Sequence, residues 1–481
     1  MQVLSVASEL FPLIKTGGLA DVAGALPLAL AAEGMEVATL VPGYPAVLAG
    51  LAGAEIVLEL ADLFGAPARV VRGSAAGLDI LAIDAPHLYA RPGNPYQSPG
   101  GSDWPDNAQR FAALGRVAAT LGSGALAGYA PDVLHLHDWQ AGLAAAYVRQ
   151  LGGRAPGVVM TVHNLAFQGL FPAGLLSALW LAPDMFGVNG LEFHGAIGFL
   201  KAGLIYADRV TTVSPTYADE IRTPDSGMGL DGVLRARGGD VVGILNGIDT
   251  KIWNPETDAL IPVPFSRMQL ARRAANKAAL QQRFGLQADP RRLLCGVVSR
   301  LSWQKGLDVL LDALPVVRAH GMQLAVLGSG EPGMEAGFGV AASANAGQVG
   351  CVIGYDEGLA HLVQAGADVL LVPSRFEPCG LNQLYSQRYG TLPIVRATGG
   401  LDDTVESYDP KTGSGTGFKL FDLNVDSLVN TISWAVDTYR TRPAHFRAMQ
   451  VRAMGKKLGW DVAAQKYAAV YDWAIARRRG R

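Results

Sequence analysis

The chain has 481 residues, 49% of them hydrophobic and 17% charged, which is too long for one ordinary core and points to two large domains of a soluble, well-packed protein. A formal net charge of −2 leaves no electrostatic footprint for nucleic acid or an acidic membrane surface, so any anion must be bound locally. Its three cysteines, Cys295, Cys351 and Cys379, are odd in number and far apart, which speaks against a disulfide framework or a cysteine zinc site and for a reducing, cytoplasmic setting. The N-terminus enters a strand without a charged lead, and no apolar run approaches the ~20 residues that span a bilayer.

The first predicted strand, Val3–Ala7, leads to Lys15-Thr16-Gly17-Gly18-Leu19-Ala20-Asp21-Val22, and a helix is expected over Ala23–Ala32. A strand, a paired-glycine turn and a helix start make an anion site. Bare amides at Gly17 and Gly18 approach a phosphate closely, the helix dipole favours its charge, and Lys15 adds a mobile cation. Asp21 is poorly placed for phosphate and suits a hydroxyl-rich group beside it. A glycine pair after a strand is common in plain structure, and the stretch is neither a Walker loop nor a dinucleotide fingerprint. Its weight comes from the company it keeps further down the chain.

Strands are expected at Ala38–Val41, Val133–Leu136, Val158–Val162 and Arg209–Val213, then afresh at Leu293–Val298, Gln323–Gly328, Val369–Val372 and Leu392–Val395. Alternation with helical patterns predicts two successive doubly wound units with parallel sheets. The seam is expected near Val242–Gly247, ahead of the irregular stretch Trp253–Pro264. His135 and His137 share a strand face but lack the partners of a metal site, so structural or sugar-contact roles are favoured and no metal is expected. Asp138 and His163-Asn164 close strand ends, where polar contacts to a sugar hydroxyl are plausible chemistry. Asp402 and Asp403 are read as helix caps. Arg477-Arg478-Arg479 is read as the solvated end of a last helix, Ala463–Arg479.

In the second half, Arg300 offers a planar fork and Lys305 a point charge after Leu293–Val298, at the strand end where doubly wound sheets bind ligands. The loop Ser374-Arg375-Phe376-Glu377-Pro378-Cys379-Gly380-Leu381 turns sharply at Pro378 and Gly380 and opens a helix. The free amides of that helix, which starts with Leu381-Asn382-Gln383-Leu384, offer a second anion site, with Glu377 beside it to bind hydroxyls or stabilise positive charge developing at a sugar carbon.

These segments, together with Leu136-His137-Asp138-Trp139-Gln140, Thr161-Val162-His163-Asn164 and Asn246-Gly247-Ile248-Asp249, resemble bacterial glycogen synthases and the related plant starch synthases along essentially the whole chain. The resemblance implies the glycosyltransferase-B fold, two Rossmann-like domains facing across a deep cleft. The expected divisions are 1–243, 244–457 and a C-terminal helix, 458–481, that packs back on the first domain. It further implies retaining transfer of glucose from ADP-glucose to the non-reducing end of an α-1,4-glucan such as glycogen or a maltooligosaccharide, without a cofactor. By position, Lys15, Gly17 and Gly18 line the donor diphosphate, Arg300 and Lys305 neutralise it, and Glu377 sits at the sugar. Asp21, Asp138, His163 and Asn246 contact glucose or acceptor, and Tyr355 stacks on adenine. Retention leaves open double displacement or front-face departure. The alternatives are a glucan phosphorylase-like enzyme carrying pyridoxal phosphate and a non-catalytic glucan-binding protein.

Overall fold

The computed structural model describes residues 1–480, Val317 by its backbone alone. The apolar runs build two large separate sheets, one in each of two units: Met1–Asn246 with the C-terminal segment from Trp460, and Gly247–Gly459; the first unit also holds a small antiparallel sheet of Leu170–Pro172, Ala196–Gly198 and Glu192–Phe193.

The first unit's large sheet holds nine strands in the order Val241–Gly243, Arg209–Thr212, Gly157–Val162, Val133–His137, Gln2–Val6, Glu36–Pro42, Leu78–Asp84, Ala68–Ala75, Ala52–Leu60. Pairing is parallel as far as Leu78–Asp84, and the central strands are buried along their length, as sheets covered on both faces require. The last two strands pair antiparallel, which the pattern of apolar runs does not anticipate. Ala52–Leu60 is an exposed, bulged edge strand with no buried residue, so it shows no continuous apolar run to detect.

The helix after the glycine pair begins at Gly18, five residues before the expected Ala23, with Gly17 as its N-cap in extended backbone. The glycine pair is therefore the start of the helix itself rather than a turn ahead of it. The final helix, Trp460–Arg479, seals the same face: Tyr467, Val470, Tyr471 and Ala474 pack with Val22, Leu26, Leu30 and Ile244. A side chain at Gly157 would come within 2.9 Å of the Ala474 backbone, so glycine permits the close approach. Arg477 and Arg478 do not form the expected solvated end. Arg477 pairs with Asp240, and Arg478 pairs at 2.8 Å with the fully buried Asp208. The helix end is stapled to the unit rather than left to water.

The second unit has six strands, all parallel, in the order Val349–Ile353, Gln323–Gly328, Leu294–Val298, Val369–Val372, Leu392–Arg396, Phe418–Leu420. Numbered along the chain this is 3-2-1-4-5-6, the doubly wound order whose direction reverses between the first and fourth strands. In the first unit the corresponding reversal lies between Gln2–Val6 and Val133–His137. Crevices at the carboxyl ends of such strand pairs are where open α/β sheets bind ligands.

Candidate active site

The second unit's reversal point carries the loops after Leu294–Val298 and Val369–Val372, so the two stretches expected to hold the donor emerge side by side. Lys305 closes a single helical turn, Trp303–Lys305, and Gly306 comes next at φ +67°, where a side chain would strike the Pro373 carbonyl at 2.1 Å. That close packing delivers the Lys305 Nζ to Glu377 Oε2 at 2.5 Å. The Ser374 hydroxyl donates to the same oxygen at 2.9 Å. Gly399, at φ +44°, lets the following helix press on the Glu377 carbonyl, which accepts from the Gly400 amide at 3.2 Å. Glu377 is thus buried, with both its carboxylate and its backbone fixed.

A cavity of about 40 Å³ adjoins the pair, lined by Ser299, Lys305, Ser374, Glu377, Gly380 and Leu381 among others. Cys379 is buried beside it and forms no disulfide. Arg300 is exposed; its carbonyl accepts from the Ser299 hydroxyl and the Ser302 amide, but among the described residues its guanidinium makes no hydrogen bond or ion pair, so its full charge is on offer. Arg375 is committed elsewhere, gripping Asp308 with two bonds of 2.7 Å and lying 4.5 Å from the Trp303 ring centroid. Tyr355 comes just after the edge strand Val349–Ile353 with its ring 77% exposed and its hydroxyl on Glu357. Asp402 is no cap: Thr398 holds the N-cap position, and Asp402, a turn inside, pairs with Lys419 at 2.7 Å.

In the first unit the glycine loop is already answered by the protein's own carboxylates. Buried Glu9 accepts from the Thr16 amide (2.5 Å), the Thr16 hydroxyl (2.5 Å) and the Gly17 amide (3.1 Å). The Gly17 amide is therefore not bare, contrary to the expectation from sequence. Lys15 pairs with Asp21 at 2.7 Å, one turn further on. A side chain at Gly17 or Gly18 would meet nothing within 4 Å, so the space in front of the loop is open. Tyr96 also donates to Glu9, at 2.5 Å, and Ser8 meets the Tyr96 hydroxyl at 2.9 Å.

Beyond Tyr96 lies a pocket of about 470 Å³ walled by aromatic rings, Trp104, Trp139, Phe167 and Phe171 with Tyr96, and by Asp103 and Asn107. Gly169, at φ +62°, makes room for the Trp139 ring, which a side chain there would meet at 2.3 Å. Asp138 begins the helix after Val133–His137 in the left-handed region, φ +56°, a strained conformation of the kind that clusters at working sites. Its Oδ1 accepts the His163 amide at 2.7 Å and the Asn164 amide at 3.4 Å. Burial pushes its carboxyl up to about 7, against the pull of those two amides. Both ring nitrogens of His135 are occupied by Thr161 (2.6 Å) and Tyr471 (2.8 Å), which makes its role structural. At Asn246 the side-chain oxygen is buried with no partner among the described residues, the mark of a group waiting for a ligand or water.

Glu9, Tyr96, Trp104 and Phe167 escape a reading of the sequence. The signal for two of them is the Pro- and Gly-rich stretch Arg91–Asp106, which holds Tyr96 and Trp104 in otherwise turn-forming surroundings. Glu9 offers no motif at all.

Residues 2–236 match the family model described as the starch synthase catalytic domain, and residues 279–447 match glycosyl transferases group 1. A glycogen synthase of Methylocella silvestris is 57% identical over 99% of both chains, and one of Acidiphilium cryptum is 55% identical over 99% of this chain and all of the relative. The chain belongs to the glycogen and starch synthase family. Among solved structures, the catalytic domain of starch synthase IV from Arabidopsis thaliana, bound to ADP and acarbose, superposes with a TM-score of 0.89 at 30% identity over 99% of each chain. A sucrose-phosphate synthase from Thermosynechococcus elongatus, 18% identical with a TM-score of 0.61 over 99% of each chain, shares the fold. The protein is a glucosyltransferase of glucan synthesis with the glycosyltransferase-B fold, and the phosphorylase-like and non-catalytic alternatives fall away. Among the described residues no helix is long and apolar enough to cross a membrane.

Proposed function

We propose that this enzyme transfers glucose from ADP-glucose to the non-reducing 4-hydroxyl of an α-1,4-glucan, glycogen or a maltooligosaccharide, with retention. The observation that carries the reading is the Lys305–Glu377 pair beside an uncommitted Arg300 at the reversal point of the second sheet. As the bond from the sugar's C1 to the diphosphate oxygen breaks, negative charge grows on the leaving ADP. Arg300 and Lys305 stabilise it, and Glu377 stabilises the positive charge left at the sugar. The acceptor's hydroxyl then bonds to C1 from the face the diphosphate leaves, and its proton passes to a phosphate oxygen of the departing ADP.

The remaining assignments rest on the same logic. Tyr355, exposed at the sheet edge, stacks on adenine. Cys379, Gly380 and Leu381 line the sugar-diphosphate, and Lys15, Gly17, Gly18 and Asp21 serve the donor from the first unit. Asp138, His163 and Asn246 contact glucose or the acceptor. The aromatic pocket from Tyr96 to Phe171 suits the glucan, since sugar rings present apolar faces to aromatic walls and hydroxyls to Asp103 and Asn107. The reaction is assigned to the cytoplasm, in keeping with three cysteines that form no disulfide.

A glucosyl-transfer assay run in parallel with ADP-glucose and UDP-glucose tests the reading. Glycogen elongation with a clear preference for ADP-glucose is expected. Equal catalytic efficiency with the two donors would remove the donor assignment, and no transfer from either would remove the reading itself.

A further inference from the structure

Three groups in the first unit, Ser5, His137 and His163, form a hydrogen-bonded chain, and the reaction as described uses neither Ser5 nor His137. The Ser5 hydroxyl lies 3.2 Å from His137 Nε2, and His137 Nδ1 lies 2.9 Å from His163 Nε2. Ser5 and His137 are 3% and 1% exposed, on the neighbouring strands Gln2–Val6 and Val133–His137 that flank the reversal point. His163 stands at the end of the next strand, half-buried, and its Nδ1 meets no protein partner among the described residues.

Both rings are neutral. Burial, with the neighbouring histidines adding to it, holds His137 well below its ordinary range, and burial brings His163 down to about 3. His135, whose ring centre is 4.1 Å from that of His137, is lowered to about 3 by the same burial and is bonded to Thr161 and Tyr471, so it does not compete for the chain. Asp138 takes the backbone amide of His163 and leaves the ring alone.

A neutral imidazole has one donor nitrogen and one acceptor, so only two proton arrangements are open. In one, Ser5 donates to His137 Nε2, His137 Nδ1–H donates to His163 Nε2, and His163 carries its proton on Nδ1. In the other every proton runs the opposite way, and the buried Ser5 hydroxyl hydrogen is left without an acceptor among the described residues. An unpaired buried donor tips such a balance by about tenfold or more. The first arrangement wins.

We propose that Ser5 and His137 are positioning residues that hold His163 as its Nδ1–H tautomer, so that it presents a hydrogen-bond donor to a sugar oxygen. The inference rests on the reading of His163 as a sugar contact, but the tautomer itself is a property of the free protein and is measurable without substrate.

The test is two-bond 1H–15N correlation of the full-length chain labelled with 15N-histidine, the His163 signals being identified by their loss in His163→Gln. A protonated Nδ1 and unprotonated Nε2 are expected in the wild type. Ser5→Ala should give averaged shifts of a tautomer mixture and lower kcat about tenfold, with little change in KM for ADP-glucose or in Tm. Ser5→Thr, which keeps the hydroxyl, should restore both tautomer and rate. A wild-type His163 protonated on Nε2, or a Ser5→Ala protein with an unaltered tautomer, overturns the proposal. If the tautomer shifts as expected while glucose transfer stays at wild-type rate, the relay stands and the sugar-contact reading of His163 fails.

Discussion

The two sheets solve one geometric problem and fill it with opposite chemistry. Among its parallel strands each reverses direction once, and each places its working loops at that reversal. In the second unit the loops carry cations: Arg300 uncommitted, and Lys305 held at 2.5 Å by Glu377. In the first unit the cation is already paired, Lys15 with Asp21, and the glycine loop is held by Glu9. Around them stand neutral histidines, a strained acid and an aromatic pocket. Fold topology thus fixes where a ligand sits, and the side chains decide what it is. A charge-rich crevice suits a sugar diphosphate, and a neutral, aromatic one suits a glucan.

The sharpest break in that comparison is expected from Glu377→Gln, which keeps the side chain's size and removes its charge. If the carboxylate stabilises a cationic sugar, kcat falls by about 10²–10³, the scale for losing one fixed electrostatic stabiliser. Donor affinity changes far less, since little positive charge exists in the ground state. Normal turnover with weakened donor binding would reduce Glu377 to a positioning role.

The two cations of the same crevice should next be told apart. Arg300→Ala removes a charge-assisted contact worth about 1.5–3 kcal/mol, so kcat/KM for ADP-glucose drops roughly 10- to 100-fold with Tm unmoved. Lys305→Ala is expected to do both kinds of damage. Its Nζ is the counter-charge of a carboxylate whose side chain is only 10% exposed, and stranding that charge costs about 3 kcal/mol. Its ion pair with Glu377 is why the fold as well as the activity is expected to suffer. Urea unfolding of both variants checks it, and equal stability would show that Ser374 and water suffice for Glu377.

The range of the contacts involved decides what is legible in the sequence and what is not. Apolar strands alternating with helices reveal parallel sheets because both faces are buried, and a strand–turn–helix start marks a candidate anion site because the signal lies within about ten residues. Arg300, Lys305 and Glu377 are visible for that reason. The exposed hairpin Ala52–Ala75 is invisible because it buries almost nothing on one side. Glu9 and Tyr96 are invisible because their meaning is a contact across 87 residues, which no local pattern encodes. The same holds for Ser5 and His137, separated by 132 residues. Lys15 and Asp21 each stand out, but their mutual pairing does not, since six residues apart on a loop and a helix start is a matter of three-dimensional placement.

In the first unit, Asp138 offers a test in which activity and stability move in opposite directions. Its carboxyl is pushed by burial to about 7, above the ordinary value of 3.8, so the folded state holds a proton that the unfolded state has lost. Stability from this group therefore falls as pH rises from about 4 to about 7 and stays reduced above that. Asp138→Asn should be more stable than the wild type at pH 8, on the order of 2 kcal/mol, while losing transfer activity. At pH 4, where both side chains are neutral in the folded protein, the stability gain should vanish. A variant that is less stable at every pH would mean that the carboxylate's two amide contacts outweigh its burial.

The smallest expected effect is a contrast between the histidines of the two units. His163 of the first unit sits below its ordinary value because it is buried, so its contribution to stability is present above about pH 6.5 and is lost as pH falls toward 3. His361 of the second unit goes the other way. Burial opposes its charge, but hydrogen bonds and charge from Asp258, at 2.7 Å, and from Glu357 outweigh that and lift it to about 9. Its contribution is present below about pH 6.5 and is lost as pH rises through 9, amounting to about 1 kcal/mol once solvent screening is allowed for. The reporter is built in: the Trp253 ring stacks on His361 with centroids 3.9 Å apart and on Tyr385 at 3.8 Å from its other side. A protonated imidazole quenches indole fluorescence, so Trp253 emission should rise with a midpoint near pH 9, and His361→Gln should abolish the step. A midpoint near 6.5 would mean that Asp258 is spent on Tyr389, which also donates to it at 2.5 Å, and that the second unit's histidine is as neutral as those of the first.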